Sequence, residues 1–166
     1  MLFTRRGYLN PTYELRDGEA LLGSIKTRRG WKFQAVAHMR DRTVQFRQPS
    51  WWKRDFDAVD QRSGLVVATY DMSTWRFSDT IAIADVRYLL RRSAWKSRAK
   101  LTDESGGEIL SITSRDWLGR ALEVTLAPDV RFDDEIELLV YFSCFAMMLA
   151  ESDSSAAAAV AATAAT

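Results

Sequence analysis

A chain of 166 residues, 47% hydrophobic and 27% charged, is long enough for one domain with a substantial core and too apolar to be a disordered segment. Its 23 Lys and Arg against 22 Asp and Glu leave a net charge of +1, which excludes the strongly basic kind of nucleic-acid binder but leaves room for a local basic patch. One Cys and one His exclude an intrachain disulfide, a zinc knuckle and a multi-histidine metal centre. Behind Met1, Leu2-Phe3 runs directly into Arg5 and Arg6, so no secretory apolar region is expected and the cytoplasm is the default compartment.

Most of the chain reads as short strands. From Trp31 to Arg40 one face carries Trp31, Phe33, Ala35, Ala37 and Met39, and the other carries Lys32, Gln34, Val36, His38 and Arg40. Val44 and Phe46 alternate with Thr43, Gln45 and Arg47. Leu65 to Tyr70 and Ile81 to Ala84 are dense enough in apolar residues to suggest burial on both sides. Leu122, Val124 and Leu126 alternate with Glu123 and Thr125. Turn signals separate these runs, among them Asp17-Gly18, Arg29-Gly30, Pro49-Ser50, Ser63-Gly64, Gly106-Gly107 and Ala127-Pro128.

The strand region repeats. Asp17, Asp60 and Asp103 stand 43 residues apart, as do Gly64 and Gly107, and Trp52 and Trp95. Trp31, Trp75 and Trp117 follow at 44 and 42. Three units of about four strands give about twelve strands. Propeller blades could share such a period, but three are fewer than propellers use.

The character changes at Ile136 to Ala150, where Glu137 is the one charge and neither Gly nor Pro occurs. This predicts a helix of about 134–150, apolar on nearly every side, with Asp134 as N-cap and Glu137 at the capping-box position. A membrane span needs about 20 apolar residues, more than this run supplies before Glu151 closes it, so a protein-buried helix is expected. The Ala-rich stretch 151–166 is a low-complexity tail that could continue the helix or be slack chain.

Together these pieces predict a mainly β fold over residues 1–150: about twelve antiparallel strands, closed into a barrel around the hydrophobic C-terminal helix. Closure removes both sheet edges, and a barrel of that size needs something to fill it. The Asp/Gly-turn repeat, the regular Trp positions and the closing helix from Glu137 to Leu149 resemble the tubby C-terminal-like superfamily, nearest the LURP-one-related and phospholipid scramblase-like members. That resemblance implies a twelve-stranded barrel around a central helix, and membrane-linked roles. Tubby domains bind phosphoinositides through basic residues, and scramblases are calcium-responsive lipid movers. No phosphoinositide motif, calcium segment or palmitoylated cysteine cluster matches residue by residue, so none of the family's sites is carried over.

Three groups of residues are candidates for chemistry. His38 and Cys144 could in principle form a nucleophile and base, but His38 falls on a polar strand face and Cys144 inside the oily helix. Asp129, Asp133, Asp134 and Glu135 offer carboxylates of the kind calcium takes, without the Asp-x-Asp-x-Asp-Gly loop and with helix capping to account for Asp134 and Glu135. Basic residues cluster around tryptophans: Arg40, Arg42, Arg47, Lys53 and Arg54 around Trp51 and Trp52, and Arg91, Arg92, Lys96, Arg98 and Lys100 around Trp95. Tryptophan beside Arg and Lys suits a bilayer interface.

No P-loop, Gly-rich dinucleotide turn, nucleophile elbow or His-Glu-x-x-His is present, so no enzyme, metal or cofactor is expected. The resulting expectation is a non-enzymatic, cytoplasmic, peripheral binder of anionic phospholipid or a phosphorylated headgroup. Its ligands would be Arg47, Lys53, Arg54, Arg91, Arg92 and Lys96, with Trp51, Trp52 and Trp95 at the membrane interface. The rival is a protein-interaction scaffold with no ligand of its own. Single-stranded nucleic acid fits less well, and a lipocalin-like carrier would need an empty lumen.

Overall fold

The computed structural model describes residues 1–7, 11–28, 34–49, 55–72, 78–93, 98–116 and 121–164, except for the side chains of Arg28 and of 150–164. The strands are β1 (Leu2–Arg6), β2 (Thr12–Asp17), β3 (Ala20–Arg28), β4 (Gln34–His38), β5 (Thr43–Arg47) and β6 (Phe56–Asp60). They continue as β7 (Val66–Asp71), β8 (Ser78–Ile83), β9 (Val86–Ser93), β10 (Arg98–Thr102), β11 (Glu108–Ser114) and β12 (Ala121–Leu126). The helix α1 follows at Asp134–Ala164. Each strand pairs antiparallel with its sequence neighbours, and β12 closes on β1 in the register Leu2↔Glu123, Phe3↔Leu122, Thr4↔Ala121. The result is the closed twelve-stranded barrel that the strand count calls for.

Side-chain alternation sets which face points inward. Val44 and Phe46 are fully buried, whereas Thr43, Gln45 and Arg47 point outward. Ala35, Ala37 and Met39 on and beside β4, and Leu122 and Val124 on β12, are likewise inward. Two-sided burial of the apolar runs does not occur. Leu65 and Val66 are 67% and 47% exposed, and Ala68 and Tyr70 take the inner positions. A single-walled barrel with its helix inside has only one face to bury.

The 43-residue repeat has a physical basis in the strand register. The ladder shifts between Leu15 and Arg16, between Ala58 and Val59, and between Leu101 and Thr102, at the same point of each unit. Such bulges bend a strand and increase its twist, which helps a sheet curl toward closure. In two of the units the aspartate that follows closes the turn. Asp60 Oδ1 accepts from the Ser63 and Arg62 backbone N–H groups and from Ser63 Oγ, and Asp103 Oδ1 accepts from Ser105 Oγ and Gly107 N. These bonds hold both carboxyls below the ordinary carboxylate range.

The helix enters the barrel one residue earlier in its capping than the sequence suggests. Asp133, not Asp134, is the N-cap: its Oδ1 accepts from Glu135 N at 3.1 Å and Ile136 N at 2.9 Å. Glu137 does not form a capping box. Its carboxylate is buried against Arg40, accepting from the backbone N–H at 3.3 Å and lying 3.6 Å from Nε. Burial pushes the Glu137 carboxyl above its usual range, and Arg40 opposes that shift. Tyr88 donates to Glu135, and Arg42 Nη2 donates to the Asp134 carbonyl at 2.7 Å.

Beyond these contacts every residue from Leu138 to Met148 is buried. Phe142 and Phe145 pack on Phe46 with ring centroids 4.7 and 4.9 Å away, and Phe145 meets Phe56 at 5.1 Å. At 1.5 Å per residue the stretch 134–149 is about 24 Å long. The backbone stays helical to Ala164, so residues 151–164 of the Ala-rich stretch continue the rod.

Gly23 on β3 is required by this packing. A Cβ there would lie 2.2 Å from Tyr141 Oη and 2.3 Å from the His38 carbonyl oxygen. Gly23→Ala is expected to destabilise the barrel by about 1–3 kcal/mol, read from the urea midpoint. Adding Tyr141→Phe should recover only part of that loss, because the backbone clash remains.

Candidate functional site

The meander sorts its connections between two rims. The helix enters at the rim that holds the β4–β5, β6–β7, β8–β9 and β10–β11 turns, and points toward the opposite one. The connections 7–11, 29–33, 48–55, 72–77, 94–97 and 115–120 all begin and end at strand ends on that exit rim. In sequence they carry all six tryptophans: Trp31, Trp51, Trp52, Trp75, Trp95 and Trp117. The predicted residues Trp51, Trp52, Lys53, Arg54, Trp95 and Lys96 lie outside the described residues.

Three predicted cations are described, and they differ. Arg47 ends β5, is about half exposed, and lies 3.9 Å from Asp57 Oδ2 on β6. Arg91 points outward from β9, opposite Lys100 in the register; Lys100 is itself paired with Glu108 at 2.8 Å. Arg47 and Arg91 share a rim, but their strands are four positions apart around the barrel. Arg92 turns inward and is not part of a surface patch.

Arg92 belongs to a buried triad across three adjacent strands. Asp79 on β8 is fully buried; its Oδ2 accepts from Tyr70 Oη at 2.7 Å and lies 2.8 Å from Arg92 Nε. Its Oδ1 accepts from Arg92 Nη2 at 3.2 Å. Burial, then the charge of Asp79, pushes the Tyr70 phenol well above its ordinary range. The sequence carried a signal for this: Arg92 shares the parity of Leu90 and Tyr88, and Asp79 that of Ile81.

Arg40 and Arg42 also part from the group in which sequence proximity placed them. They sit at the entry rim, with β5 between them and the connection that bears Trp51 and Trp52. There they line a polar groove of about 670 Å³ between the β4–β5 and β6–β7 turns, together with His38, Asp41, Asp60 and Arg62.

His38 and Cys144 form no catalytic pair. His38 is exposed, with Nδ1 3.4 Å from Thr43 Oγ1, whereas Cys144 is fully buried and burial raises its thiol pKa. Among the acidic cluster, Asp133 caps the helix and Glu135 accepts from Tyr88. Among the described residues no three His, Cys, Asp or Glu side chains are grouped to hold a metal ion. No helix among them is long and apolar enough to cross a membrane. No family model matches this chain, and no similar curated protein or solved structure is found.

Proposed function

We propose that this barrel is a tubby-like domain that docks peripherally on anionic membrane surfaces through its helix-exit rim. The observation that carries the proposal is topological. Six connections join strand ends on one rim, and all six tryptophans, with Lys53, Arg54 and Lys96, fall in them. Indole rings favour the headgroup layer, and nearby cations are drawn to acidic lipids. Arg47 and Arg91 add exposed charge on the flanking strands. Arg92 contributes through the fold, its charge being matched by Asp79.

The test is flotation with vesicles of phosphatidylcholine alone and of phosphatidylcholine mixed with phosphatidylserine. The chain is expected to float with the acidic vesicles at low salt and to be released at high salt. Each basic residue near an anionic surface contributes about 1 kcal/mol, so charge reversal at Lys53 and Arg54 together is expected to lower affinity by more than about tenfold. Equal recovery with both vesicle types at low salt removes the proposal.

A further inference from the structure

The net charge of +1 hides two opposed ends. The entry-rim connections 18–19, 39–42, 61–65, 84–85, 103–107 and 127–133, with the first helical turn, hold ten Asp and Glu against four Arg. The six exit-rim connections hold eight Lys and Arg in sequence against two Asp. Strands of about five residues keep the rims about 17 Å apart, beyond the screening length of about 8 Å at physiological salt, so neither end neutralises the other. Exposed apolar surface is sorted as well. Leu21, Leu65, Val66 and Val86 are the exposed large apolar side chains among the described residues, and each lies at or beside the start of a strand that leaves the entry rim.

Three of these share one sector. Leu65 and Val66 lie at the start of β7 and Val86 at the start of β9, and Val86 pairs with partly buried Ile83 on β8 between them. Val86 shares a strand face with Tyr88, whose hydroxyl donates to Glu135. Burial, then Glu135, Asp133 and Asp103, push the Tyr88 phenol above its ordinary range, so all three carboxylates lie near that ring. Asp85 and Glu104 stand exposed in the adjoining β8–β9 and β10–β11 turns, and Arg62 and Arg87 are the cations of the sector.

We propose that this apolar and acidic sector seats the exit-rim connection 48–55 of a second copy, so that the chain associates head to tail. In sequence that connection is the longest of the six and holds Trp51-Trp52-Lys53-Arg54. Trp followed by Lys or Arg recurs at Trp31-Lys32, Trp75-Arg76 and Trp95-Lys96. An indole beside a cation is the chemistry that an apolar lip flanked by carboxylates takes. A symmetric contact through either rim brings like charges together, whereas the head-to-tail contact opposes unlike ones. The sector lies to one side of the mouth, so the second barrel sits off axis and its emerging helix passes beside the first. The contact stands or falls independently of the membrane reading, although both use 48–55.

Sedimentation velocity of the full chain tests this. Association that rises with concentration is expected at low salt and is lost at high salt. Asp85→Lys with Glu104→Lys should weaken it more than about tenfold, and Lys53→Glu with Arg54→Glu should do the same. Val86→Ser, which leaves every charge in place, should weaken it too. Circular dichroism checks the fold of each variant. An equimolar mixture of the two charge-reversed chains should associate although neither does alone, because each supplies the end the other lacks. Flotation of the Asp85→Lys, Glu104→Lys chain with acidic vesicles should be undiminished, which separates the self-contact from the membrane reading. A chain that stays monomeric at every concentration at low salt overturns the proposal. So does association that ignores salt, that survives Asp85→Lys with Glu104→Lys unchanged, or that the mixture fails to restore.

Discussion

Removing residues 133–166 is expected to leave a chain that aggregates. The helix from Leu138 to Met148 is buried residue after residue, and the barrel wall contributes its inner face to the same core. Burying one large apolar side chain contributes about 1.5–3 kcal/mol. Leu138, Leu139, Phe142 and Phe145 alone therefore reach the order of 10 kcal/mol, comparable with the whole stability of an ordinary domain. Without the rod, the wall would expose Phe3, Leu15, Ile25, Phe46 and Leu110 to a water-filled lumen. Truncation after Ala150 is the control, because it keeps the buried segment. Size-exclusion chromatography with far-ultraviolet circular dichroism reads both chains. A monomeric, strand-rich product from the shorter chain would show that the wall stands alone and that the helix is an accessory. At the single-residue level, Phe142→Ala is expected to cost about 3–5 kcal/mol, since it hollows the contact with Phe46.

Much of this architecture is legible from the residues because one periodicity serves one purpose. Val44, Phe46, Leu122 and Val124 alternate with polar neighbours, and in a single-walled barrel that alternation maps directly onto inside and outside. The helix is legible because a run with one charge over fifteen residues has to be surrounded. The 43-residue spacing is legible because bulge and turn recur together, after Leu15, Ala58 and Leu101.

What was not legible depends on distances the sequence does not state. Asp133 and Asp134 are chemically equal as caps, and the choice rests on which backbone unit lies just outside the helix. Arg42 and Arg54 are close in number, yet β5 stands between Arg42, at the entry rim, and the connection in whose sequence Arg54 falls. The five-residue strand between them spans about 17 Å. Arg91 and Arg92 read as one basic pair, but adjacent strand residues face opposite sides of the wall, and Asp79 claims the inner one. The membrane reading uses the exit rim as topology defines it, whereas the groove at the entry rim needed two turns to be seen side by side.

Replacing Asp79 by Ala is expected to be the most damaging single polar substitution in the barrel. It leaves the Arg92 guanidinium, only 17% exposed, without its counter-charge and the Tyr70 hydroxyl without its acceptor. Breaking a buried pair by removing one partner costs about 3–5 kcal/mol, against about 1 kcal/mol for an average substitution. Asp79→Asn should lie between, because its amide oxygen can still accept from Tyr70 but carries no charge. The combined change Tyr70→Phe, Asp79→Leu and Arg92→Met should recover most of the loss, since an apolar set of similar bulk neither strands a charge nor leaves a hydroxyl unpaired. Urea denaturation of the four chains measures this order, and a loss below about 1 kcal/mol for Asp79→Ala would mean that water reaches the triad and pairs it. The same set separates stability from binding. Arg92→Met in the triple variant removes a cation that sequence proximity assigns to the lipid surface, yet flotation with acidic vesicles should hold, because that charge faces Asp79 inside the wall. Arg91→Glu, one residue away and outward, should weaken flotation while leaving the urea midpoint nearly unchanged.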